Sequence, residues 1–118
     1  MTEHSDCIFC RIAGGEIPCD FLYADEQIVA FNDMHPQAPV HILIIPKKHI
    51  PSLAEMSEED IALVGRINLV AAQLAEAVGI GKSGYRLISN CRADSGQEVP
   101  HLHYHLLGGR YLGAFTQQ

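Results

Sequence analysis

Three histidines stand at every second position near the end of the chain, in His101-Leu102-His103-Tyr104-His105-Leu106-Leu107. A β-strand repeats its side-chain direction every two residues. This spacing therefore puts the three imidazoles on one face, about 7 Å apart, and turns Leu102, Tyr104 and Leu106 to the other. The segment reads as a strand over His101 to Leu107 with a core face and a titratable face. Imidazole changes charge near neutral pH and can carry protons, attack electrophiles or ligate metals. Alternation alone is also what a structural, half-exposed strand shows, and H-x-H on a strand can ligate a metal. Gly108-Gly109 ends the run and Arg110 follows.

The rest of the chain supplies strands and one long helix. Asp6 is placed to cap a short helix over Cys7 to Ala13, which Gly14-Gly15 would end. Phe21 to Ala24 and Ile28 to Asn32 read as short strands joined by the polar turn Asp25-Glu26-Gln27. Pro36 and Pro39 break the chain before His41 to Ile45, a β-branched run suited to a central strand that Pro46 stops. Ser57-Glu58-Glu59-Asp60 resembles a capping box opening a helix that Gly79 closes. Ile61, Val64, Ile67, Ala71, Leu74 and Val78 form its stripe, which Leu63, Val70, Ala72 and Ala77 widen. That width fits either a well-buried helix or one with a second contact face. Tyr85 to Asn90 completes the set of strands. Strands around one long helix, with connections mostly too short for βαβ crossovers, indicate α+β with an antiparallel sheet.

At 118 residues the chain (1–118) is expected to be a single domain, with residues 1–6 disordered and 111–118 a C-terminal tail. It is 47% hydrophobic without a run long enough to span a bilayer, and its first residues lack a basic region and an apolar stretch, so a soluble cytoplasmic protein is expected. A net charge of −6 argues against a nucleic-acid surface, though local N–H groups and imidazoles can still hold a phosphate. The four cysteines (Cys7, Cys10, Cys19, Cys91) suit reduced thiols or a metal better than a disulfide framework. Gly81-Lys82-Ser83 imitates a phosphate loop, but Glu76 stands where the first glycine is required, and the segment follows a helix where a phosphate loop opens one.

The residues carry a resemblance. The His-x-His-x-His run is similar to the signature of the histidine triad (HIT) superfamily of nucleotide hydrolases and transferases. The stretch from Phe31 through Asp33-Met34-His35-Pro36-Gln37-Ala38-Pro39-Val40-His41 to His49 resembles the HINT branch. So do Gly96-Gln97-Glu98-Val99-Pro100 before the triad and Leu107-Gly108-Gly109-Arg110 after it. The likeness runs from about Cys7 to Gly113. It implies a HIT-like fold: a five-stranded, mainly antiparallel sheet, one long helix and a short N-terminal helix. It also implies a homodimer joined partly through the long helix.

By this resemblance His103 is the nucleophile, attacking phosphorus and becoming nucleotidylated, with the backbone carbonyl of His101 fixing its tautomer. His105 would hydrogen-bond the α-phosphate. His41, which alone could be a capped edge histidine, would join the proton relay to the leaving group. Asp33 would accept from the ribose hydroxyls. Ile8, Phe9, Ile12, Phe31, Met34 and Leu43 would wall the base pocket, and Asn90 with the backbone of Gln97, Glu98 and Val99 would add phosphate contacts. Glu98 departs from the serine of eukaryotic relatives, Pro100 replaces an aromatic residue, and the tail from Tyr111 lacks their tryptophan.

Cys7-Ile8-Phe9-Cys10 is C-x-x-C, and His49 and His101 can complete a Cys₂His₂ set. Some bacterial HIT proteins carry zinc on this pattern, so the resemblance implies a structural zinc at Cys7, Cys10, His49 and His101 that takes no part in the chemistry. Paired reduced thiols remain the other reading, with Cys19 and Cys91 left over. The activity implied is hydrolysis of the P–N bond of purine nucleoside 5′-phosphoramidates, with acyl-nucleotide side activity. Two rivals are a dinucleoside polyphosphate hydrolase of the same superfamily and a nucleotide-binding regulator or scaffold with vestigial hydrolysis.

Overall fold

The near-continuous apolar runs of the two central strands require a sheet covered on both faces, and the computed structural model of the protein has one. It describes residues 6–114. The strands are β1 (Tyr23–Ala24), β2 (Ile28–Asn32), β3 (Val40–Pro46), β4 (Tyr85–Ile88) and β5 (Tyr104–Gly108). They lie in the order β1-β2-β3-β5-β4, every neighbouring pair antiparallel. Because β5 lies between β3 and β4 and opposes both, β3 and β4 run parallel, and the long helix supplies the crossover between them.

The short helix α1 is Ile8–Ala13 and the long one, α2, is Ile61–Ala77. Ile28, Ala30, Ile42, Ile44, Leu102 and Leu106 face α2 and pack on its Leu63, Ile67, Val70, Ala71, Leu74 and Ala75. The odd-numbered positions Val29, Phe31, Leu43 and Ile45 point the other way, onto Cys7, Phe9 and Ile12 of α1. Period-two alternation in β2 and β3 thus feeds two cores with one sheet between them. The histidines belong to the α1 side.

Helix ends follow the sequence closely, with one shift. The cap of α1 is Cys7, not Asp6. The Cys7 sulfur accepts from the Cys10 amide at 3.4 Å, and Asp6 is exposed. At α2 the Ser57 amide donates to the Asp60 carboxylate at 2.9 Å, and a single 3₁₀ turn over Glu58–Asp60 leads into the helix. Gly79 closes it at φ +84°, a conformation costly for residues with a Cβ, while the Ile80 amide reaches back to the Ala75 carbonyl at 2.9 Å. Ile61 and Val78, expected on the core stripe, are exposed, as is Leu69. Residues 81–83 form the turn from α2 to β4, so the imitation phosphate loop is a connector. Among the described residues no helix is long and apolar enough to cross a membrane. The expectations for residues 1–5 and 115–118 lie outside the described residues.

Three strands are shorter than expected, and one of them, β4, stops at Ile88, which leaves Ser89 and Asn90 in the following loop. Phe21 and Leu22 precede β1 in a half-exposed stretch, although the Leu22 amide still pairs with Ala30 at 2.8 Å. More consequentially, β5 begins at Tyr104, so of the three alternating histidines only His105 lies in the ladder. The last pair with β3 is Ile44↔Tyr104. Upstream of it the Leu102 amide donates to the Ile50 carbonyl at 2.6 Å, and the His101 ring takes the Pro46 carbonyl at 2.8 Å. The alternation continues regardless, with Leu102 and Leu106 in the α2 core and the histidines on the opposite face.

Candidate active site and metal cluster

The ladder brings His41 to the triad. In the register Leu43↔His105, His41 is the diagonal neighbour of His105 on the same face, within reach of an aromatic ring. The Asp33 amide donates to the His41 carbonyl at 2.9 Å, which carries the β2–β3 pairing one step past Asn32 and sets Asp33 beside His41. Asp33 Oδ2 lies 3.4 Å from His41 Nε2, and its Oδ1 accepts the His35 amide at 2.7 Å.

Backbone partners fix each ring's tautomer, because a carbonyl can only accept and an amide N–H can only donate. His103 Nδ1 lies 2.7 Å from the His101 carbonyl, so Nδ1 carries the hydrogen and, in the neutral ring, Nε2 keeps its lone pair. The Gln37 amide donates to His41 Nδ1 at 3.0 Å, so the His41 hydrogen is on Nε2 and is directed to His105 Nδ1, 2.9 Å away. His105 therefore presents Nε2–H. Burial lowers the pKa of His41 despite the opposing charge of Asp33. For His105, burial and then the neighbouring His103 and His41 lower the pKa to about 4. With its ring neutral, His103 thus offers a nucleophilic Nε2 beside the Nε2–H donor of His105.

Phe9 stands edge-on to His103 with centroids 5.0 Å apart, and His103 and His105 are 5.1 Å apart. Phe9, Ile12, Phe31 and Leu43 share one buried cluster, against which Val99 packs. Ile8 and Met34, expected in the same wall, are exposed, Met34 to 89%. The Gln97 side chain is committed to its own loop. Its amide group donates to the Pro51 and Val99 carbonyls at 2.8 and 3.0 Å, and its oxygen accepts the Arg92 amide at 2.6 Å. Glu98 is exposed and Asn90 half-buried. The Gln37 amide and the Pro46 carbonyl, which orient His41 and His101, went unforeseen because backbone groups have no residue signature. The Ser89 hydroxyl, which meets the His103 carbonyl at 2.9 Å, left no periodic trace either.

A second cluster lies at the head of the triad. Its donor atoms (Cys7 Sγ, Cys10 Sγ, one nitrogen each from His49 and His101) all fall within 4.8 Å of one another. His101 Nδ1 is 3.4 Å from Cys7 Sγ, 3.5 Å from Cys10 Sγ and 3.2 Å from His49 Nδ1, and Cys10 Sγ is 3.1 Å from His49 Nδ1. A first-row ion with bonds of about 2.0–2.3 Å to nitrogen and sulfur asks for tetrahedral edges of roughly 3.3–3.8 Å, close to these. His101 is wholly buried, and its Nε2–H is spent on Pro46, so Nδ1 turns a lone pair into the cluster. Burial and then the adjoining Cys7 push the Cys10 thiol up to about 12. The donors fit a transition-metal ion that would neutralise the two thiolates. Outside the cluster, burial raises the Cys19 pKa, whereas the hydrogen bond between Cys91 and Ser52 lowers that of Cys91.

Comparison with known proteins agrees with this geometry. The purine nucleoside phosphoramidase of Escherichia coli K12 is 51% identical over 113 residues, covering 96% of this chain and 93% of that protein. The structure of a histidine triad protein from Clostridium difficile superposes with a TM-score of 0.93 at 46% identity, covering 98% of this chain and all (100%) of the other. A HIT family hydrolase from Legionella pneumophila gives a TM-score of 0.88 at 49% identity, covering 90% and 95%. The HIT domain model matches residues 14–112, which takes in β1 to β5, α2 and the histidine row, and the chain belongs to the HIT domain family.

Proposed function

We propose that the protein hydrolyses the P–N bond of purine nucleoside 5′-phosphoramidates, forming and then hydrolysing a nucleotidyl-histidine at His103. One observation carries this reading: the His103 hydrogen is held on Nδ1 by a backbone carbonyl 2.7 Å away, which leaves Nε2 as the attacking nitrogen. The name of the E. coli relative supports the choice of substrate.

In the first half-reaction the His103 Nε2 lone pair attacks the α-phosphorus. The P–N pair passes to the amine, which takes a proton from the site and departs. His105 Nε2–H steadies the charge that grows on the phosphoryl oxygens, and His41 passes protons to and from His105 Nδ1 across 2.9 Å. In the second half-reaction water attacks phosphorus, the N–P bond returns its pair to Nε2, and the water's proton restores the site. Asp33 would take the ribose hydroxyls, and Phe9, Ile12, Phe31 and Leu43 the base. Backbone amides of Gln97 to Val99 and the Asn90 side chain would take the phosphate, with Ile8 and Met34 at the exposed rim.

The cluster of Cys7, Cys10, His49 and His101 would hold zinc. With four protein ligands and no open position, that ion supplies structure and not catalysis. The protein would work as a cytoplasmic homodimer joined through the exposed apolar face of α2, where Ile61 is 62% and Leu69 57% exposed.

Intact-protein mass after a non-acidic denaturing quench during turnover of an adenosine phosphoramidate tests this. Wild type is expected to carry an adenylyl adduct, and His103→Ala neither adduct nor turnover. Turnover surviving in His103→Ala would sink the nucleophile assignment. Preferential turnover of diadenosine polyphosphate would favour the polyphosphate hydrolase, and saturable binding without turnover the regulator.

A further inference from the structure

The nucleophile sits where the sheet has already ended. The last ladder pairs are Ile44↔Tyr104 on one side of β5 and Ile88↔His105 on the other, so the ladder gives the His103 backbone no partner. Three other bonds stand in for it. The preceding amide, of Leu102, donates to Ile50 at 2.6 Å. The His103 ring donates to the His101 carbonyl at 2.7 Å. The third is made by a side chain: the Ser89 hydroxyl donates to the His103 carbonyl at 2.9 Å.

Ser89 is the first residue after β4, which ends at Ile88, and it is half-buried. Its hydroxyl continues the β4–β5 pairing beyond the last backbone pair. Asn90, taken above as a phosphate contact, is the next residue in the chain. One bond therefore ties the backbone that carries the nucleophile to the backbone that carries a phosphate-binding side chain.

We propose that Ser89 is a positioning residue for the reaction: it sets the place of His103 relative to the bound phosphate through the His103 carbonyl and touches no substrate itself. This rests on the functional reading above, with His103 as nucleophile. In-line attack is sensitive to misplacement by fractions of an ångström, so loosening this clamp acts on the chemical step. The base contacts, on α1, β2 and β3, and the ribose contact at Asp33, just after β2, stay as they are.

The test compares wild type, Ser89→Ala, Ser89→Thr and His103→Ala in single-turnover and steady-state kinetics with an adenosine phosphoramidate, alongside nucleoside monophosphate affinity and Tm. Ser89→Ala is expected to slow formation of the nucleotidyl-enzyme about tenfold, with monophosphate affinity within about twofold of wild type. Ser89→Thr, which keeps the hydroxyl, is expected to recover most of the rate. The proposal is overturned if Ser89→Ala, with its Tm near that of wild type, forms the adduct at the wild-type rate. It is overturned equally if rate and affinity fall together, or if Ser89→Thr is as slow as Ser89→Ala. Should Ser89→Ala fail to fold, Ser89→Thr against Ser89→Val decides, since the two match in shape and differ in the hydroxyl. A wild type without turnover overturns the functional reading first, and Ser89's role with it.

Discussion

His41 Nε2 lies 2.9 Å from His105 Nδ1, while its other nitrogen accepts the Gln37 amide at 3.0 Å. The pair is thereby held in a single neutral arrangement with one hydrogen between the rings. Protonating His105 at Nδ1 would break that arrangement, and burial adds to the penalty.

The folded-state pKa of His105, about 4, is below the ordinary imidazole value of 6.5. Between those two values the unfolded chain binds the extra proton and the folded one does not, so stability rises with pH in that window. Above pH 6.5 the contribution is complete, and it is lost as pH falls through about 4. Urea-unfolding midpoints from pH 4 to 8 are expected to slope less for His105→Asn than for wild type. Equal slopes would show that His105 is not held neutral.

The metal cluster should be worth much of the protein's stability. Loading apo protein near pH 7 is expected to release about two protons per ion from Cys7 and Cys10. Cys10→Ser should lower Tm by on the order of 10 °C. Calorimetry in buffers of different ionisation enthalpy counts the protons. A Tm that ignores both chelation and the substitution would dismiss a structural ion.

Arg92 is the one described residue other than glycine with positive φ, at φ 66° and ψ −173°. That region is essentially reserved for glycine, so the residue carries backbone strain. Its guanidinium meets Glu55 at 2.7 Å, but both partners are exposed and the pair adds little. Arg92→Gly should therefore raise Tm by roughly 3–5 °C. A fall in Tm would mean the ion pair outweighs the strain.

Leu69 is 57% exposed in the middle of α2 and is not one of the buried core residues. If α2 joins two copies, Leu69→Arg places a charge in the centre of that contact. Sedimentation velocity should then show a monomer for the variant and a dimer for wild type. A wild-type monomer would refute the homodimer.

The leftover thiols should differ in reactivity. Cys91 has a pKa lowered by its hydrogen bond with Ser52 and Cys19 one raised by burial and then by Asp20, and the thiolate is the reactive form. Peptide mapping after brief alkylation near pH 8 should find Cys91 labelled first. Cys19 reacting faster would contradict this ordering.

The sequence made the strands and the long helix legible because β2 and β3 are short apolar runs bounded by turn residues and prolines, and α2 carries a helical stripe. The histidines could be read to one face from their period of two, although their functions came through resemblance. Ladder ends could not be read. Whether His101 to His103 joins β5 depends on where the Leu102 amide and the Pro46 carbonyl find partners, and those are Ile50 and the His101 ring. Ile61 and Met34 escaped for another reason: hydropathy records what a side chain prefers, while exposure depends on which neighbours the topology brings near.

The segment from His101 to Leu106 divides its residues by parity, even numbers to the α2 core and odd numbers to the histidine face. With β5 held in its ladder, a single-residue insertion or deletion just before Tyr104 would flip the residues upstream, turning His101 and His103 toward the α2 core and Leu102 toward the histidine face. A change of two residues would keep the faces and only slide the site. A change in even steps keeps the parity on both sides of the junction, whereas an odd step needs a bulge to absorb it.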